Sequence, residues 1–192
     1  MSRELPPIAY VVLALIGSGG AGAHDLVDMM RRGGRIFYAA APSQVYAESK
    51  RLAEQGYLDA RRGPGRRGER TVYTLTEQGR VALVAWLEQP ARFPRIQNEA
   101  NLRLTAGDLL GDAAVLRSLA GMREQIAAIA EGIGASEQRL AELPHRERYL
   151  RLSYSLARRI LAAHLEWLDE VERTLGAEDD RDPSRGPSEP LG

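Results

Sequence analysis

Residues 43–76 read SQVYAESKRLAEQGYLDARRGPGRRGERTVYTLT. Ser43 suits the N-cap of a helix running to about Gln55, because its hydroxyl can accept a free N–H of the first turn. Gly56 fits the position that closes such a helix. Two extended pieces, 57–62 and 70–75, then flank a turn of Gly, Pro and Arg, which reads as a β-hairpin. Thr76 opens another helix in which Val81, Leu83, Val84, Trp86 and Leu87 are mostly apolar, ending before Pro90.

Upstream, Ile8, Val11, Val12, Leu15 and Ile16 recur at the spacing of one helical face, and Pro6-Pro7 suits a helix start. The β-branched content leaves a buried strand open as the alternative. A second helix is expected over Ala23 to Arg32, with Leu26, Val27, Met29 and Met30 apolar and Gly33-Gly34 as its stop. Between the two lies GSGGAG, where Gly17, Gly19 and Gly22 match the G-x-G-x-x-G spacing of a dinucleotide turn. That fold needs repeated parallel strands and an acidic residue about 20 positions on. Here the corresponding stretch, GRIFYAAAP, holds none. The glycines read instead as a connection that supplies positive φ.

Downstream, residues 90–96 form a linker, and a short helical piece covers 97–109. Asp112 is the expected N-cap of a long helix carrying Leu116, Leu119, Ile126, Ile129, Ile133, Leu140 and Leu143, weakened at Gly132 and Gly134. Pro144 interrupts it. A last helix runs to about Leu175 with Leu152, Leu156, Ile160, Trp167 and Val171 on one stripe. From Gly176 onward the chain is acidic, rich in Pro and Gly and nearly without apolar residues, the composition of a disordered tail. The fold class is mainly α. Three helices, a two-stranded hairpin and a fourth helix are expected over residues 1–90, a long-helix domain over 91–175, and the tail over 176–192.

The 192 residues carry zero net charge, unevenly spread. Residues 31–80 hold eleven basic side chains against five acidic ones, a net +6, while 1–30 is at −2 and 81–192 at −4. A basic block in an acidic chain is the footprint of a polyanion-binding face, although a solvated Arg-rich surface has the same composition. With no cysteine, disulfides, thiol catalysis and thiolate metal sites are excluded. His24, His145 and His164 lack ligand-spaced partners, and neither a G-x-S-x-G elbow nor a phosphate-binding loop occurs. No catalytic residue, metal or cofactor is therefore expected. The longest apolar run is too short for a membrane span, and Ile8–Ile16 lacks the flanks of a signal peptide, so a cytoplasmic location is expected.

Three helices followed by an Arg-rich hairpin is the winged helix-turn-helix order, in which the third helix enters the major groove of DNA and the wing reaches phosphates or the minor groove. On the third helix Ser43, Gln44, Tyr46, Ser49 and Lys50 are the candidate contacts. Gln pairs with an adenine edge, whereas Ser, Tyr and Lys hold phosphates. Val45, Leu52 and Tyr57 would face the core. The wing offers Arg61, Arg62, Arg66, Arg67 and Arg70, whose guanidinium forks suit phosphate oxygens and narrow minor grooves.

VYAESKRLAEQGYL followed by VYTLTEQGRVALVAWL resembles the PadR family of bacterial transcriptional regulators. The family's recognition helix reads I-Y-P-x-L-K-R-L-E-x-x-G-L, and Tyr46, Lys50, Arg51, Leu52 and Gly56 match it. Tyr73, Leu75, Thr76, Gly79, Trp86 and Leu87 match the pattern after the wing, Y-x-L-T-x-x-G and a Trp-Leu pair. The resemblance covers roughly residues 5–90, and the helical C-terminus is similar to the family's larger branch. His24 stands at a usual Tyr, Ala47 at a common Pro and Ser49 at a common Leu. The resemblance implies a homodimeric repressor on an inverted-repeat DNA operator, clasped through the C-terminal helices and responsive to a small aromatic or hydrophobic effector. Trp86, Tyr149, Tyr154 and Trp167 are the candidates for the effector pocket or dimer core, with plain helix packing as the bland account of the same residues. The rival reading is a winged-helix module that binds protein and not DNA.

Overall fold

The apolar run near the N-terminus is a helix, α1 (Pro7–Ile16), and not a strand. Pro7 takes its first position, where the missing N–H is no loss, and Gly17 at φ 52° closes it by donating to the Leu13 carbonyl at 3.1 Å. Ala9, Tyr10, Val11, Val12, Leu13 and Ile16 are all buried. A helix buried on nearly every side is apolar all round, which is why its composition also suited a buried strand. The computed structural model describes residues 5–17, 19–31, 36–38, 40–65 and 68–179, divided into two units, Met1–Phe93 and Pro94–Gly192.

In the first unit α1 is followed by β1 (Ala21–Gly22), α2 (Ala23–Met29), α3 (Pro42–Glu54), β2 (Leu58–Gly65), β3 (Gly68–Leu75) and α4 (Glu77–Leu87). Leu13, Leu26, Val45 and Leu52 are the centre of the core, each 1% exposed or less, so α1, α2 and α3 meet on their apolar faces. The hairpin is antiparallel, in register from Leu58 opposite Leu75 to Gly65 opposite Gly68, and so extends further into the turn than expected. Two strands become three: Ala21 and Gly22 pair with Tyr73 and Val72, giving the order β1-β3-β2. The glycine cluster thus supplies a strand as well as a connection. Gly20, at φ 73°, lies where a Cβ would be 2.9 Å from Thr74 Cγ2. Gly79, on α4, is required by close approach, since a Cβ there would stand 2.1 Å from the Tyr57 carbonyl oxygen. Thr76 caps α4, its hydroxyl accepting the Gly79 N–H at 3.1 Å.

The second unit holds α5 (Glu99–Thr105), α6 (Asp112–Leu119), α7 (Met122–Glu137) and α8 (Glu147–Asp179). The single long helix expected from Asp112 is two, with Gly111 as the cap and the break at Gly121. Glycine is the weakest helix former but proline, and a break there re-aims the chain. Gly132 and Gly134 stay inside α7. Val115, Leu119, Ile126 and Ile133 of α6 and α7 and Ala157, Leu161, Leu168 and Val171 of α8 are buried, and both α6 and α7 pack on α8. Arg123 reaches Asp169 at 2.6 Å and Glu172 at 2.7 Å, and Arg158 pairs with Glu137, so α7 and α8 run antiparallel. The buried stripe of α8 differs from the expected one: Leu152 and Leu156 are 69% and 52% exposed. The helix also continues through Gly176 to Asp179, four residues into the segment expected to be a disordered tail, while 180–192 lie outside the described residues.

Candidate nucleic-acid interface

The helix α3 begins one residue before the expected cap, because Pro42 fits the first helical position. Ser43 is therefore inside the helix, and the cap falls to Gln44, whose side-chain oxygen accepts the Ala41 N–H at 3.1 Å. This use of Gln44 leaves its amide nitrogen as the end that can address a base edge. Ser43, Gln44, Tyr46 and Lys50 are exposed on α3. The Lys50 ammonium stands 3.8 Å from Glu54, a solvent-exposed pair that a phosphate can replace at little cost.

Ser49 requires a correction. It is 0% exposed, and its hydroxyl donates to the Val45 carbonyl at 2.8 Å. Val45, Ser49 and Leu52 follow one another at helical steps on the buried face, so Ser49 is a core residue and does not reach DNA. Val45 and Leu52 are buried as expected, and Tyr57 packs against the same core half-buried.

On the wing, Arg61 and Arg62 of β2 are exposed, and Arg61 Nε lies 2.8 Å from Asp59 two residues back. Arg66 and Arg67 lie outside the described residues. Arg70 of β3 is held by a partner far away in sequence: its Nη1 donates to both carboxylate oxygens of Asp25 on α2, at 2.8 and 3.1 Å. Asp25 and Glu48 are the two residues that reading the sequence for positive charge missed. Glu48 is 8% exposed and takes two hydrogen bonds from Arg51, at 2.8 and 2.6 Å, which push the Arg51 guanidinium above its usual value. The i, i+3 spacing of Glu48 and Arg51 was a usable signal. Asp25 has a local role as the N3 carboxylate of α2 that accepts the Gly22 N–H, whereas nothing local announces its pairing with Arg70.

The aromatic candidates fall in both units, Trp86 in the first and Tyr149, Tyr154 and Trp167 in the second. Trp86 stacks on Tyr10 with ring centroids 4.7 Å apart and planes 10° from parallel, and it packs against the core of the first unit. Tyr149, Tyr154 and Trp167 lie on the one helix α8, with Tyr149 and Trp167 about 27 Å apart along its axis at the usual rise. Tyr149 is 63% exposed, with the Arg148 guanidinium 5.2 Å from its ring centre. The open depression of the second unit, about 480 Å³, is lined by Glu137, Arg151, Ser155, Arg158, Arg159 and Ala162 and by none of these rings.

The histidines are dispersed. His164 Nδ1 is 2.7 Å from the Ile160 carbonyl and its Nε2 is 3.2 Å from Asn98, whereas His24 is exposed beside Asp28. Among the described residues no cluster of His, Cys, Asp or Glu is placed to hold a metal, and no helix is long and apolar enough to cross a membrane.

A three-helix core, a small sheet, an exposed helix face beside an Arg-bearing hairpin and a helical second unit define a winged-helix DNA-binding regulator. Residues 12–85 match the family model described as the transcriptional regulator PadR-like family, and residues 96–176 match the virulence activator alpha C-terminal model. Together these matches and the similarity to known regulators support a PadR-family transcriptional regulator, a non-enzymatic family. It is 28% identical over 180 residues to the negative transcriptional regulator PadR of Bacillus subtilis, covering 85% of this chain and 94% of that protein. The crystal structure of that PadR in complex with operator DNA superposes with a TM-score of 0.73 at 21% identity, over 90% of this chain and 99% of the other. Its complex with p-coumaric acid gives 0.62 at 22% identity, over 88% and 98%. The Vibrio cholerae virulence activator AphA gives 0.66 at 24% identity, over 89% and 99%.

Proposed function

We propose that this regulator is a repressor that binds an inverted-repeat operator as a homodimer and is released by a small aromatic effector. The observation that carries the reading is the exposed row Ser43, Gln44, Tyr46 and Lys50 on α3, followed by the exposed wing residues Arg61 and Arg62, with Arg66 and Arg67 as the sequence's further wing arginines. The helix supplies base-edge and phosphate contacts, and the wing supplies charge for the flanking backbone. Repression follows the negative regulator PadR, to which the identity extends over most of both chains. The effector class follows the p-coumaric acid complex of that protein. Homodimerisation is supported by Leu152 and Leu156, apolar side chains of α8 that a single chain leaves in water.

The test is fluorescence anisotropy of the protein on DNA from its own upstream region beside a random duplex, both titrated over salt. A preference of about a thousandfold or more for the upstream duplex is expected of a specific site. Each phosphate contact contributes about 0.9 to the salt slope, so replacing Arg66 and Arg67 by Ala is expected to flatten it by about two and weaken all duplexes alike. Equal, weak binding to both duplexes favours the rival reading as a protein-binding module. A panel of phenolic acids added to the complex then tests release.

A further inference from the structure

Arg70 differs from Arg61 in what holds it. Arg61 pairs with Asp59 on its own strand, and a phosphate can take Asp59's place without moving the backbone. Arg70 instead pairs with Asp25, 45 residues away on α2. The same Asp25 oxygen, Oδ2, also accepts the Gly22 N–H at 2.9 Å. Gly22 in turn pairs with Val72 in the ladder between β1 and β3. One carboxylate therefore ties the start of α2, the strand β1 and the wing strand β3 together. The closure is tight: a Cβ at Gly22 would lie 3.2 Å from Asp25 Oδ2, 3.3 Å from the Thr71 carbonyl oxygen and 3.9 Å from Arg70 Cδ.

We propose that Arg70 is a positioning residue and not a DNA contact: with Asp25 it forms a latch that fixes the wing to α2, and Gly22 is glycine because the latch closes over it. Arg70 and Asp25 cancel in charge within a pair that spans two elements, so Arg70 adds little to the wing's attraction for DNA. The inference deepens the operator-binding reading and depends on it only in its DNA arm.

Asp25→Asn separates the two roles, since it keeps an acceptor for the Gly22 N–H and removes the charge that holds Arg70. If Arg70 were a phosphate ligand restrained by Asp25, this variant would free it, and DNA binding would tighten with a steeper salt dependence. The latch gives the opposite sign. Asp25→Asn and Arg70→Gln are each expected to weaken DNA binding about three- to tenfold with the salt slope unchanged, and the double variant to be no weaker than either alone. Tighter binding by Asp25→Asn, or a slope flattened by about one in Arg70→Gln, overturns the proposal. Hydrogen exchange on the free protein needs no DNA. Asp25→Asn, Arg70→Gln and Gly22→Ala are expected to speed exchange of the amides pairing β1 with β3 by about tenfold. Unchanged exchange in all three overturns the latch. Failure of the wild-type protein to bind any duplex overturns the operator reading instead, and the exchange result then decides the latch by itself.

Discussion

Ser49 carries a clear lesson about single residues. In α3 it lies between Val45 and Leu52 on the buried face, fully enclosed, with its hydroxyl satisfied by the helix's own Val45 carbonyl. Its hydroxyl reads as surface, although its spacing between Val45 and Leu52 and the leucine common in the family both point to the buried face. Ser49→Ala removes a hydrogen bond worth about 1 kcal/mol and gains helix propensity, so stability is expected to change by less than about 1 kcal/mol with DNA affinity unaltered. Ser49→Leu, the residue common in the family, adds three carbons to a closed site and is expected to cost about 1–3 kcal/mol. Chemical denaturation and anisotropy on the same samples check both, and a loss of DNA affinity in Ser49→Ala would restore Ser49 to the interface. Gly79 is the sterner case. Its missing Cβ is where the Tyr57 carbonyl stands, so Gly79→Ala must push α4 away from the hairpin. A loss of about 2 kcal/mol or more in denaturation is expected.

At the scale of elements, punctuation and periodicity located α3, the hairpin and α4, because each ends in a residue with a local reason to be there. Gly56 is at φ 79°, Thr76 accepts the Gly79 N–H, and Pro42 holds a first-turn position. The strand β1 was not legible: two residues carry no period, and their pairing with Tyr73 and Val72 is a long-range contact. Likewise the Arg70–Asp25 pair spans 45 positions. The linker region holds a cap of similar obscurity, since Asn98 accepts the Asn101 N–H at 3.0 Å at the start of α5 while its amide nitrogen meets His164 Nε2. The two contacts fix the imidazole with its proton on Nδ1, donated to Ile160. Asn98→Ala is expected to lose about 1 kcal/mol in denaturation, and Asn98→Asp less, because the cap survives. Between α7 and α8, hydrogen bonds from Arg158 hold the Glu137 carboxyl below the usual carboxylate range. Since the folded value is the lower one, this contribution is complete at neutral pH and is lost as pH falls through the depressed value. Both side chains are substantially exposed, so Arg158→Ala is expected to remove only a few tenths of a kcal/mol, measured as a slightly flatter fall of stability on the acid side.

For the whole molecule the unresolved economy is that of the second unit. Its inward residues suffice to hold α6 and α7 against α8, yet Tyr149, Leu152 and Leu156 lie three and four residues apart on one exposed face of α8. Burying a leucine side chain is worth about 1.5–3 kcal/mol, so a face of this kind is costly in water and favours a second copy related by a two-fold axis. On the homodimer proposal two copies of α3 would meet an inverted repeat, and α8 would then influence DNA affinity through dimerisation. Leu152→Glu with Leu156→Glu places two like charges on that face. The double variant is expected to sediment as a monomer, to keep its far-UV circular dichroism, and to bind the upstream duplex about a hundredfold or more weaker, because the second half-site is then no longer an intramolecular event. Single half-site duplexes are expected to bind the variant and the wild type alike. A variant that still sediments as a dimer would move the seam off this face of α8, and a monomer with undiminished operator affinity would separate dimerisation from recognition altogether.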